Sequence, residues 1–255
     1  MVAAGLTWSQ VREFVALCIG LGIEPPAAAV RGLDVIAVAE AHQTVSMPSL
    51  LDASDDEVRD FLDQAALRRS TSPNPGQSTG MGTAIRDMSL GLAAEVRAAV
   101  VGDMDRFTEA LRPRFDKQAA VLVDAAQTYG FTLATTSDEV IMRADEKASE
   151  AWRATRLAWF AIQRIADIRI RASKVFHCGP ITDIATAKTI NAETWDYSVC
   201  FAGGENWSMD GSKYVQGNVQ GDLNWLDLAA GGLRLNSPAE TDVMTRARVL
   251  AQLSA

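Results

Sequence analysis

The chain has few of the residues from which catalytic and metal sites are commonly built. Its 255 residues include two histidines, His42 and His177, and three cysteines, Cys18, Cys178 and Cys200. Two histidines leave few ways to assemble a triad, and no G-x-S-x-G elbow occurs. No Cys or His pair stands at zinc spacing. The odd, unpaired cysteine count excludes a disulfide framework and fits a reducing compartment. No metal or cofactor is expected. Every long apolar window is interrupted by Arg or Asp before eighteen residues, so no membrane-spanning helix is expected. The N-terminus, MVAAGLTWSQVREF, lacks the basic start of a secretion signal, and the expected location is cytoplasmic. The phosphate-loop order G-x-x-x-x-G-K-[ST] is absent; Gly211-Ser212-Lys213 keeps only its last part. Asn206-x-Ser208-x-Asp210-Gly211 copies the start of a calcium loop, but Gly217 stands where the bidentate glutamate belongs.

Composition is ordinary for a globular chain, with 48% apolar and 22% charged residues. The formal net charge of −8 disfavours a nucleic-acid binder by default. Its distribution is more informative. Residues 1–69 carry five Lys/Arg against ten Asp/Glu. Residues 151–176 carry six against one, and residues 177–255 five against nine. A single basic segment therefore lies between acidic flanks.

That basic segment belongs to the most legible stretch in the chain, Thr136 to Gly179. Thr136-Ser137-Asp138-Glu139 is a capping box, and Cys178-Gly179-Pro180 is a stop. Between them the pattern predicts one helix of about 40 residues, 137–177, roughly 60 Å long. Its seam reads Ile141, Ala144, Ala148, Ala151, Thr155, Ala158, Ile162, Ile165, Arg169, Ala172, Phe176, a 3-4 spacing. Arg169 interrupts it and requires a partner or an exit to solvent. From Leu157 to Ile170 the helix is apolar almost all round, which calls for neighbours on more than one side.

The remaining elements follow from caps and breakers. Thr7, Ala27 and Ser54 begin three short helices in residues 1–69, the second running to about Gln43 with Val30, Leu33, Ile36, Ala37 and Glu40 on one side. The uncharged STSPNPGQSTGMG, residues 70–82, reads as a linker. Residues 83–179 form a long helical hairpin: Met104, Phe107, Leu111, Phe115, Ala119, Leu122 and Ala126 recur at helical spacing, loosened at Gly102 and Pro113, before a short turn at Gly130. Residues 180–255 form a Gly/Trp-rich arm with short strands or irregular structure. A last helix opens at Ser237-Pro238 with Val243, Met244, Ala247, Leu250 and Leu253 as its face. The expected fold is thus mainly α, a helical hairpin or bundle with an irregular or short-β C-terminal arm.

Three functional readings follow. The first is a non-catalytic structural or interaction protein that self-associates or docks into a larger assembly. Its contacts would be the aromatic and apolar residues Trp152, Trp159, Phe160, Ile168, Trp207, Tyr214 and Trp225, because aromatic anchors commonly dominate interfaces. The second is a nucleic-acid-associated module that uses Arg153, Arg156, Arg164, Arg171 and Lys174 to bind anions. The third is an enzyme with a carboxylate site that the sequence does not reveal. No small-molecule substrate is indicated.

In style, the segments TTSDEVIMRADEKASEAWR, STSPNPGQSTGMG and VQGNVQGDLNWLDLAAGGL resemble small helical structural proteins from the head and neck of tailed phages of high-GC hosts. The resemblance implies a virion or assembly component that acts by binding, without catalysis, and transfers no functional residue.

Overall fold

A computed structural model of the chain describes residues 6–43, 54–60, 63, 80–178, 198–204 and 224–253. The fold is mainly α, with no strand among the described residues. We name the helices α1 (Trp8–Gly20), α2 (Ala27–Gln43), α3 (Gly80–Tyr129), α4 (Ser137–Met142), α5 (Glu146–Phe176), α6 (Trp225–Ala230) and α7 (Pro238–Leu253). The chain divides into two units: residues 1–19 with 24–100, and residues 20–23 with 101–255.

In the first unit, α1 buries Val11, Phe14, Val15 and Cys18, a spacing that keeps four side chains on one helical stripe. Ile36 of α2 is buried as expected, but Ala29 and Gly32 also turn inward while Val30 and Ala37 are exposed. The reason is close approach: a Cβ at Gly32 would stand 2.7 Å from Val96 Cγ2 and 3.0 Å from Trp8 Cζ3. The Trp8 indole N–H donates to Ser89 Oγ at 2.6 Å. Residues 55–60 are helical, and the Ser54 capping box is present. The backbone N–H and then the hydroxyl of Ser54 hold the Glu57 carboxyl below its ordinary pKa. Of the expected linker, residues 80–82 are the first turn of α3; the rest, 70–79, lies outside the described residues.

In the second unit, α3 buries Met104, Phe107, Leu111, Phe115, Ala119, Leu122 and Ala126, the register expected from spacing. The helix passes through Gly102 and Pro113 without a break. Pro113 is solvent-facing, so the carbonyl it cannot serve is left to water. Helices α3 and α5 run antiparallel. Phe131, just after α3, meets Trp152 edge to face at 5.2 Å, and midway Phe115 of α3 and Gln163 of α5 both touch Trp225. At the far end, Asp105 of α3 accepts from the Ala239 N–H at 3.1 Å, and Asn236 O, three residues earlier, accepts from Arg169 Nε of α5 at 3.3 Å. This is the expected helical hairpin.

The run 137–177 is not one helix. Thr136 caps it with the predicted box, but α4 ends at Met142 and Ala144 adopts φ 51°. Asp145 then caps a new helix by accepting from the N–H groups of Lys147 (2.9 Å) and Ala148 (3.3 Å). Tertiary contacts override the helical propensity of this segment. Arg143 donates to Tyr129 O at 2.7 Å and lies over the Phe131 ring, while the Trp152 N–H reaches Ser137 Oγ at 3.2 Å. Ile141 and Ala144 of the expected seam are consequently exposed; Ala148, Thr155, Ala158, Ile162, Ile165, Arg169, Ala172 and Phe176 are buried. The C-terminal cap is His177 in the left-handed region, two residues before the expected glycine.

The end of the chain is held by one asparagine. Asn236 donates from Nδ2 to Val199 O and Ala202 O, both at 2.8 Å, and its carbonyl accepts from Arg169 Nε at 3.3 Å. A single bridge joins Ala202 to Leu233, where Gly203 lies against the Gly232 backbone too closely for any Cβ. Short strands in residues 180–255 are therefore not seen among the described residues. The Ser237 cap and Pro238 begin α7 as expected. Its buried face, however, is Thr241 and Thr245, whose hydroxyls bond to Pro238 O and Thr241 O, while Val243 and Leu250 face outward.

Two substitutions test these points by chemical denaturation. Ala144→Gly should raise stability by about 0.5–1 kcal/mol, because glycine enters the left-handed region without the strain alanine carries. In an unbroken helix the same change would lower stability by about 1 kcal/mol, so the sign decides. Asn236→Ala should cost about 2–4 kcal/mol by leaving two buried carbonyls without donors; a loss under about 0.5 kcal/mol would show that Asn236 is not the tie.

Candidate functional site

Helix α5 carries two different surfaces. From Ile165 to Phe176 nearly every side chain is enclosed, including Ile168, Ile170, Ala172 and Val175. The expectation of a strut with neighbours on several sides holds there. It fails one and a half turns earlier. Leu157 is 75% exposed and Phe160 60% exposed. Both stand among Arg153, Arg156 and Arg164, all of them exposed.

Helical geometry explains the grouping. Positions 153, 157, 160 and 164 follow at i, i+4, i+7 and i+11, so they share one face about 16 Å long. Arg156 lies at the edge of that face, its guanidinium carbon 6.0 Å from the Phe160 ring centroid. Arg153 donates back to Ser149 O at 3.3 Å. None of the three arginines forms an ion pair among the described residues. The opposite face, Thr155, Ala158 and Ile162, is buried. The outward face is thus apolar at its centre with arginines beside it, and exposed Glu150 and Asp167 follow at i−3 from Arg153 and i+3 from Arg164.

Other predicted contact residues are placed differently. Ile168 and Trp225 are fully enclosed and belong to the core of the second unit. Trp225 packs edge to face on Phe201 at 5.1 Å and on Phe115 at 6.2 Å, with its N–H donated to Gln163 Oε1 at 2.8 Å. Trp152 is half-buried under Phe131, so the chain itself supplies its cover. Trp159 is half-buried as well. Trp207 and Tyr214 lie outside the described residues. Of the five proposed anion-binding residues, Arg153, Arg156 and Arg164 share the exposed face, whereas Arg171 is half-buried and both it and Lys174 have other interactions.

Comparison with protein-family models, curated proteins and solved structures returned no match for this chain. The geometry must carry the functional reading. Among the described residues no helix is long and apolar enough to cross a membrane, and no group of three His, Cys, Asp or Glu side chains is placed to hold a metal ion. The three cysteines are buried, and none forms a disulfide among the described residues. Burial pushes the Cys18 thiol up to about 12, partly opposed by a backbone hydrogen bond. Cys178 is also raised, by burial first and with Asp105 adding, while Arg169 opposes.

Arg169 was expected to need a partner or an exit, and it is fully buried. Its Nη1 donates to Ser173 Oγ and its Nε to Asn236 O, but Nη2 has no acceptor among the described residues.

The Cys18 shift has a measurable consequence. An unfolded thiol ionises near pH 8.5, while the folded one keeps its proton to about 12. Stability from this group is full below the unfolded pKa and is lost as pH rises through that window. Cys18→Ala should flatten the decline of stability between about pH 9 and 11; an unchanged slope would mean that the thiol is hydrated in the folded state.

Proposed function

We propose that this protein is a non-catalytic structural or interaction protein that self-associates or docks into a larger assembly through the exposed face of α5. One observation carries the reading: Leu157 and Phe160 stand in solvent between three arginines that have no carboxylate partner among the described residues. Scattered exposed apolar residues need no explanation. Two on one face, flanked by three arginines, fit the core and rim of a contact surface.

Magnitudes assign the roles. Covering Leu157 and Phe160 would contribute about 1.5–3 kcal/mol each. Exposed ion pairs contribute about 0.2–1 kcal/mol each. The apolar pair therefore supplies affinity, while the arginines select an acidic partner and fix register. A phosphate backbone would satisfy the arginines but leave Leu157 unused, and the net charge of −8 opposes that encounter. The phage-like style of the sequence agrees with an assembly role in a virion head or neck, built inside a bacterial host.

The test compares wild type with Leu157→Ser/Phe160→Ser by sedimentation velocity. Both side chains are exposed, so thermal stability should hold while self-association weakens at least tenfold. Equal association of the two proteins would remove α5 from the interface. Binding to DNA or RNA at 50 mM salt with a steep salt dependence would replace this reading with the nucleic-acid one.

A further inference from the structure

We propose that the occupant of the α5 face is the same face of a second copy of this chain, packed antiparallel about a two-fold axis at Leu157. The proposal rests on the reading above and names its partner surface. Along α5 the outward positions Glu150, Arg153, Leu157, Phe160 and Arg164 follow at alternating spacings of three and four, and all are exposed. That is the spacing of a helix–helix seam. Its charges differ on the two sides of the apolar centre. Glu150 lies seven residues before Leu157 and Arg164 seven residues after it, each about 10.5 Å away along the axis. Seven residues return a side chain to the same face within about 20°. Neither Glu150 nor Arg164 forms an ion pair among the described residues.

A two-fold axis at Leu157 reverses this order in the second copy. Residues equally far from Leu157 on opposite sides then come level, which sets Arg164 of each copy against Glu150 of the other. Leu157 meets Leu157. Phe160 comes level with Ala154, in the hole bounded by Glu150, Arg153, Ala154 and Leu157 of the second copy. Ala154 is small and exposed, so it leaves room for the ring. Arg153 comes beside that ring, where a guanidinium is attracted. The outer acids fall at the ends of the contact: Asp167 comes level with Lys147 of the second copy, and Glu146 between Asp167 and Arg171. A parallel pairing in register would set Glu150 against Glu150 and Arg164 against Arg164, so charge selects the antiparallel one. A contact of one patch with itself closes at a dimer.

Sedimentation velocity over a concentration series compares wild type with full-length Glu150→Arg, Arg164→Glu and the exchange Glu150→Arg/Arg164→Glu. Circular dichroism and melting temperature establish that each folds. Neutral Glu150→Gln or Arg164→Gln, expected to weaken dimerisation about threefold, replaces a reversal that does not. Wild type should form dimers and nothing larger. Each single reversal sets like charges together at both ends of the contact and should weaken dimerisation about tenfold or more. The exchange should restore it, and so should an equal mixture of the two single variants, because every pair again joins opposite charges. Single reversals that dimerise like wild type, where Leu157→Ser/Phe160→Ser does not, would overturn this pairing and leave the α5 interface standing. A loss that neither the exchange nor the mixture restores would show that Glu150 and Arg164 do not meet. Species larger than a dimer would overturn the two-fold arrangement. A wild type that is monomeric at every concentration, or that associates no better than Leu157→Ser/Phe160→Ser, would overturn both this pairing and self-association through α5.

Discussion

The second unit depends on the burial of one face of α5 against its antiparallel neighbour α3 and the segments packed on both. Trp225 sits where these elements converge, with Phe115 of α3, Phe201 of the turn and Gln163 of α5 all in contact with its indole. The buried N–H finds the Gln163 oxygen, so the largest side chain of the core is placed without an unmet polar group. Farther along, Asn236 joins the turn carbonyls of Val199 and Ala202 to Arg169. These contacts fix how α5 is rotated about its axis. Once Ala158, Ile162 and Ile165 face inward, Leu157, Phe160 and the arginines face outward. The candidate site is therefore a geometric consequence of the core.

Much of this is legible in the residues. Thr136 and Ser237 act as helix caps, and the α3 stripe from Met104 to Ala126 follows helical spacing. The break at Ala144 is not legible, because nothing in MRADEKAS forbids a helix. Arg143, Phe131 and Trp152 impose it from a distance. On α7, spacing alone offers two faces, and the apolar one looks the better core. Thr241 and Thr245 are buried instead, because a threonine hydroxyl can bond to the preceding turn of its own helix.

The α5 face shows the same ambiguity in reverse. Its charge is plain in the sequence, as is the apolar run from Leu157 to Ile170. Periodicity assigns that whole run to burial, yet the enclosing elements reach only its second half. Trp225 and Ile168 read as contact residues and are core; Leu157 reads as core and is exposed. An apolar residue at i+4 and another at i+7 from an arginine, with a further arginine at i+11, was the signal available, and only packing decides which face it occupies.

The central claim is that this face is covered when copies of the chain meet. Hydroxyl-radical footprinting across a dilution series reads it side by side with the rest of the molecule. The account predicts that Phe160 and Leu157 are protected at high protein concentration and become fully reactive on dilution, while Trp225 stays protected throughout. Full reactivity of Phe160 and Leu157 at every concentration, in a sample that sediments above the monomer, would place the interface elsewhere.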